Sequence, residues 1–165
     1  MLDPSFPLRA SRLLAQGGLV LGKAETTKYD PTRDPEGAAW LAARLASELR
    51  HLHPSIVAIW TDPEDIILAH LLALELDLRW VQLVEDRGSL SARGKLSLAD
   101  SVVFVTDALR GHTPLEAIRG AIESHGARLV GTCVFLATPR LDALGPENGA
   151  HVAVLREPGL FQASR

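Results

Sequence analysis

The stretch Ser101–Glu116, SVVFVTDALRGHTPLE, constrains the fold of this chain more than any other. Val102, Val103, Phe104 and Val105 are consecutive apolar residues, three of them β-branched. They suit a strand covered on both faces, as in a parallel sheet. The helix start that follows is marked by Thr113 at the cap, Pro114 at the first helical position and Glu116 completing a Thr-x-x-Glu capping box. The loop between delivers Gly111, His112 and Thr113 to a helix N-terminus, where unpaired N–H groups and the helix dipole favour an anion such as phosphate. An ordinary strand-to-helix turn that binds nothing has the same local pattern.

The rest of the chain repeats this rhythm. Ala10–Gln16 has helical spacing and ends at Gly17-Gly18, and Gly18–Lys23 reads as a short strand. Leu41, Leu45, Leu49 and Leu52 form one stripe of a helix from Glu36 to Leu52, which Pro54 stops. Ile56–Trp60 reads as the first central strand. Ile66–Leu76 is apolar nearly all round, as in a helix covered on more than one side, and a second copy of the chain is one source of that cover. Trp80–Val84 forms the next strand, Glu85–Lys95 a polar loop, Val102–Thr106 a third strand and Thr113–His125 a helix stopped by Gly126. Leu129–Leu136 gives a fourth strand and Val152–Leu155 an edge strand. Alternation of this kind predicts an α/β domain with a central, mostly parallel sheet flanked by helices. Ligands then sit outside the carboxyl ends of the strands, so Thr61–Asp65, Glu85–Arg93 and Asp107–Thr113 are expected to face one crevice.

Composition narrows the function. A chain of 165 residues with 47% hydrophobic and 22% charged residues predicts one globular domain. The net charge of −3, with Lys and Arg scattered, argues against nucleic acid as a partner. No apolar run is long enough to span a bilayer, and the single cysteine, Cys133, lies within a strand-like apolar run, so a cytoplasmic protein without disulfides or membrane contact is expected. His51, His53, His70, His125 and His151 show no ligand spacing. The carboxylates of Asp62, Glu64 and Asp65 suit either a hard cation or a solvated turn at a helix start.

The order of elements, with Val102–Asp107 and then Gly111-His112-Thr113 opening a helix, resembles the type I phosphoribosyltransferases, and within them the orotate phosphoribosyltransferases. The resemblance implies the family's fold with a small N-terminal hood: residues 1–35 as hood and base side, 36–138 as core and 139–165 as a C-terminal segment of a single domain. The family signature is two acids, two apolar residues and a small-residue loop that holds the 5-phosphate of phosphoribosyl pyrophosphate, the acids contacting the ribose hydroxyls. Asp107 matches the second acid, Ala108 and Leu109 the apolar pair, and Arg110, Gly111, His112 and Thr113 the phosphate loop. Thr106 stands in place of the first acid, and Arg110 where a small hydroxyl residue is expected.

Other stretches follow by the same likeness. Thr61, Asp62, Pro63, Glu64 and Asp65 occupy the place of the pyrophosphate loop, where the family wants small residues without negative charge. Lys23, Lys28 and Tyr29 fall on the base side. The family's mobile loop, which closes basic residues over the leaving diphosphate, is represented by a short segment with Arg87, Arg93 and Lys95. These departures imply a catalytically degenerate relative, with no catalytic residue assigned, that binds at most a phosphate or nucleotide at 107–113. A homodimer is implied, and Mg²⁺ as the companion ion if phosphoribosyl pyrophosphate binds. An active phosphoribosyltransferase of nucleotide metabolism and a non-catalytic dimeric interaction module are the alternatives.

Overall fold

A computed structural model describes residues 19–20, 28–60, 62–109, 113–145 and 149–155. The helix expected at Ala10–Gln16 lies outside the described residues. A two-residue pairing, β1 (Leu19–Val20) antiparallel to β2 (Lys28–Tyr29), stands at the N-terminal end. The helix α1 (Pro35–Leu49) follows, capped by the Asp34 carboxylate, which accepts from the Gly37 N–H, and with Pro35 in its first turn. Then come β3 (Ile56–Ile59), α2 (Pro63–Leu76), β4 (Arg79–Asp86), β5 (Ser89–Arg93), β6 (Ser101–Ala108), α3 (Leu115–Glu123), β7 (Arg128–Leu136), the single turn α4 (Pro139–Asp142) and β8 (Ala150–Leu155).

Six strands form one sheet in the order β5-β4-β3-β6-β7-β8, parallel throughout except for the β4–β5 pair. Side chains alternate across it and divide the core in two. Val57, Ile59, Val103, Val105, Cys133 and Phe135 face α1 and α2, meeting Leu41, Leu45, Leu49, Leu68 and Leu72. Ile56, Ala58, Val102, Phe104 and Val134 face α3, meeting Leu115, Ile118 and Ile122. The middle strands β3 and β6 are therefore apolar on both faces over Ile56–Ile59 and Val102–Val105, the pattern that a sheet covered on both faces demands. Among the described residues no helix is long and apolar enough to cross a membrane.

Three local expectations are corrected. Glu85–Lys95 is not a loop: β4 runs on to Asp86, Arg87 and Gly88 make a two-residue turn with φ of 52° and 78°, and β5 returns antiparallel with Asp86 opposite Ser89. Both turn residues sit in the left-handed region that two-residue hairpins with matched twist require. Leu90 and Ala92, two apart, are the half-buried face of β5, packing on the α3-side core. The helix expected from Ile66 starts earlier, because Asp62 is the N-cap and Pro63, Glu64 and Asp65 are the first turn of α2. Finally, the capping box of Thr113 and Glu116 does not form. Pro114 is the N-cap of α3 and no side chain caps it; the Leu115 N–H folds back onto the Thr113 carbonyl at 2.9 Å, and the Glu116 carboxylate pairs with Arg119 one turn on.

Candidate functional site

The carboxyl ends of β3, β4 and β6 and the entry to α3 enclose a cavity of about 220 Å³. Trp60, Asp62, Asp65, Glu85, Phe104, Thr106, Thr113 and Pro114 line it. Three of the expected segments thus do converge on one crevice, as a parallel sheet with its ligands at the strand ends predicts. Phe104 and Thr106 are two apart on β6 and so share a face; the same alternation turns Asp107 away, to the side of Val103 and Val105.

Asp107 is 5% exposed and bound into the backbone. Its Oδ1 accepts from the Ala108 N–H at 2.7 Å, and its Oδ2 from the Tyr29 N–H of β2 at 3.3 Å. Its own N–H donates to Asp65 Oδ1 at 2.8 Å. Asp65, 2% exposed, is thereby tied to the end of β6 while its carboxyl lines the cavity. Burial, followed by the neighbouring Asp107 carboxylate, pushes the Asp65 carboxyl up to about 7, against the bonds it accepts from the Asp107 N–H and the Thr106 hydroxyl. Ala108 and Leu109 are buried, their side chains in the core, and Thr113 is half-buried at the cavity edge.

The other expected site residues divide. Lys28 and Glu64 form an ion pair between β2 and α2. That hydrogen bond raises the Lys28 ammonium above its ordinary value and lowers the Glu64 carboxyl. Tyr29 is fully buried and stacks on Phe135, with ring centroids 6.3 Å apart; burial raises its phenol, and its hydroxyl has no hydrogen-bond partner among the described residues. Asp62 and Pro63 are exposed at the start of α2. Lys23, Thr61, Arg110, Gly111 and His112 lie outside the described residues.

Arg93 and Lys95 belong to the returning half of the hairpin. Arg93 is opposite Gln82, and the Lys95 carbonyl accepts from Arg79 at the start of β4, so both are carried away from the carboxyl ends. Only Arg87, at the turn, remains at the cavity end of the pair. Trp60 and Phe104 were not among the sequence candidates. Phe104 shares the face of Thr106, which alternation alone does not assign to the cavity, and Trp60 is marked only by its place just after β3.

Against solved structures, the chain superposes on a phosphoribosyltransferase from Corynebacterium diphtheriae with a TM-score of 0.70 and 20% identity, over 91% of this chain and 95% of that one. The fold is that of the type I phosphoribosyltransferases. The orotate phosphoribosyltransferase of Mycobacterium tuberculosis H37Rv gives a TM-score of 0.67 at 15% identity, over 92% of this chain and 95% of that one. The UMP synthase of Leishmania donovani gives 0.67 at 19% identity over 88% of this chain, which spans 34% of that protein's length. No protein-family model matches the sequence, and no curated protein matches it.

Set on this phosphoribosyltransferase fold, the departures from the family signature acquire positions. The residue of the Thr106-Asp107 pair that faces the cavity is the threonine. The segment expected in the place of the pyrophosphate loop contributes Asp62 and Asp65 to the same wall, and Glu85 adds a third carboxylate from β4. Among the described residues no group of three or more His, Cys, Asp or Glu side chains is placed to hold a metal ion.

Proposed function

We propose that this chain is a phosphoribosyltransferase-like protein that binds a phosphate-bearing small molecule at the 107–113 corner and does not transfer phosphoribose. One observation carries the reading: the described cavity lining holds three carboxylates and no basic side chain. Like charges about 4 Å apart repel by roughly 1 kcal/mol in water and about 4 kcal/mol near a protein surface. A diphosphate at this wall meets several such pairs. Leaving-group stabilisation is the chief service required of such an enzyme, and it needs the opposite sign of charge. The hairpin supports the same reading, because a ladder-bonded β4–β5 pair cannot close over a ligand as a mobile loop does.

A sugar phosphate with a single phosphoryl group avoids the conflict. Its hydroxyls donate to carboxylates, and its phosphate belongs at the corner that leads into α3. Incubation with labelled phosphoribosyl pyrophosphate, Mg²⁺ and orotate, adenine, guanine, hypoxanthine or uracil is expected to give no nucleotide above the uncatalysed rate. Calorimetry is expected to show ribose 5-phosphate binding at least as tightly as phosphoribosyl pyrophosphate. Turnover with any base overturns the proposal.

The same chain is read as a homodimer through α2. Leu74 is 65% exposed on a helix whose Ile67 and Leu71 are only half-buried, so an apolar strip remains on its outer side. A cytoplasmic setting remains part of the proposal.

A further inference from the structure

We infer that the cavity is a proton-linked site, in which seating a phosphate-bearing ligand beside Thr113 draws one proton onto Asp65. The inference rests on the phosphate reading above and adds its regulation. Asp65 and Thr113 line one cavity of about 220 Å³, so a phosphoryl group held at the Thr113 edge shares its pocket with the Asp65 side chain.

The charged groups around Asp65 are acidic on nearly every side. Asp62 and Glu64 stand on its own helix, Asp107 closes the end of β6, and Glu85 faces it from β4 across the cavity. On β2, Lys28 is engaged by Glu64. Arg110 and His112, on the corner itself, lie outside the described residues. Asp62 and Glu85 are exposed and water screens them, whereas Asp65 is sealed in.

Of the three cavity carboxylates, Asp65 is therefore the one whose charge an incoming anion feels most strongly. Its backbone bond fixes it in place, since Oδ1 holds the Asp107 N–H and the side chain cannot swing out without breaking that tie. Protonation is the remaining relief. It removes a negative charge and supplies an O–H donor at the cavity wall. The free carboxyl already titrates close to neutrality, so the proton is available under ordinary conditions. Ligand affinity then falls by up to about tenfold per pH unit between the titration of the free and of the bound protein.

Three measurements test this on the full chain: calorimetry of ribose 5-phosphate at pH 6.8, 7.5 and 8.2 in two buffers of different protonation enthalpy, the same for Asp65→Asn, and a ¹³C titration of the Asp65 carboxyl in the free wild type. The ester's own second ionisation, near pH 6, is common to both proteins and cancels in the comparison. Uptake approaching one proton by the wild type, with a flatter pH profile and about tenfold tighter binding at pH 8.2 for Asp65→Asn, is the expected result. Binding without proton uptake, or a free-protein midpoint below about pH 5, overturns the linkage and leaves the phosphate site standing. Failure of ribose 5-phosphate to bind either protein at any pH overturns the phosphate site and the linkage with it. The uptake and the ¹³C titration use the wild type alone, so the test holds even if the variant folds poorly.

Discussion

Replacing Asp65 by Asn is expected to stabilise the protein at alkaline pH and leave it nearly unchanged at pH 4. The carboxyl moves from 3.8 to about 7 on folding, chiefly through burial. At about 1.4 kcal/mol per pH unit, that is a cost of about 4 kcal/mol for folding with Asp65 ionised. The sign follows from which state holds the proton. Between about pH 4 and pH 7 the folded chain binds a proton that the unfolded chain has released, so stability falls as pH rises through that window and is level above it. Asn carries no such charge; its Oδ1 still accepts from the Asp107 N–H, and its amide donates to the Thr106 hydroxyl, which turns to accept. Urea titrations at pH 4, 5, 6, 7 and 8 would follow the gap between the two proteins. With a slope of about 2 kcal/mol per molar urea, the midpoint of the variant is expected to exceed that of the wild type by up to about 2 M at pH 8. A variant less stable than the wild type by the same amount at pH 4 and pH 8 would show that Asp65 folds as an ordinary ionised carboxylate and would refute the reasoning.

Gly149 has φ of 76°, and a Cβ there would lie 2.6 Å from the carbonyl carbon and oxygen of Val130, so Gly149→Ala is expected to cost 2 kcal/mol or more and to lower Tm by about 5 °C. Gly88, with φ of 78° in the hairpin turn but open space around it, serves as the control, with a loss near 1 kcal/mol. Leu74→Glu is expected to change unfolding free energy by less than about 0.5 kcal/mol while converting a dimer to a monomer in sedimentation velocity; unchanged sedimentation removes α2 as the interface. Thr106→Asp restores an acid at the cavity face but adds a fourth carboxylate, and is expected to give no turnover and weaker ribose 5-phosphate binding above pH 7, read by calorimetry. Lys28→Met removes a pair in which the lysine side chain is 42% exposed, and is expected to cost no more than about 1 kcal/mol in urea titration.

What the sequence made legible follows from where burial is two-sided. The apolar runs at Ile56–Ile59, Val102–Val105 and, broken only by Gly131 and Thr132, Leu129–Leu136 leave little choice but a parallel sheet, and each became a middle strand. Strand ends and turns were harder to read. Ser91 and Arg93 alternate with Leu90 and Ala92, a period of two that is easily taken for a polar loop when the turn is Arg-Gly rather than Asn-Gly. The α3 start misled because Thr-Pro-x-Glu carries every mark of a capped helix, yet Arg119 takes the Glu116 carboxylate and the Thr113 carbonyl turns the chain one residue before the helix begins. That the Thr61–Asp65, Glu85–Arg93 and Asp107–Thr113 segments face one crevice was readable from topology alone, and Asp62, Asp65, Glu85 and Thr113 are the residues of theirs that line it. Which member of Thr106-Asp107 faces the cavity was not readable in this way, since it depends on the register of β6 in the sheet.

That register explains why an acid stands at 107 and none at 106. The Asp107 side chain satisfies two backbone donors, the Tyr29 N–H from β2 and the Ala108 N–H at the end of its own strand, in a region where neither would reach water. Removing the carboxylate would orphan both, at about 1–3 kcal/mol each, whatever ligand the site takes. At position 106 the side chain lines the cavity, and the threonine hydroxyl donates to Asp65 without adding charge beside it. An acid at 107 is thus accounted for by architecture. On the proposed reading, the cavity face of β6, Phe104 and Thr106, offers a ribose no charge, and its hydroxyls meet the carboxylates of α2 and β4 instead.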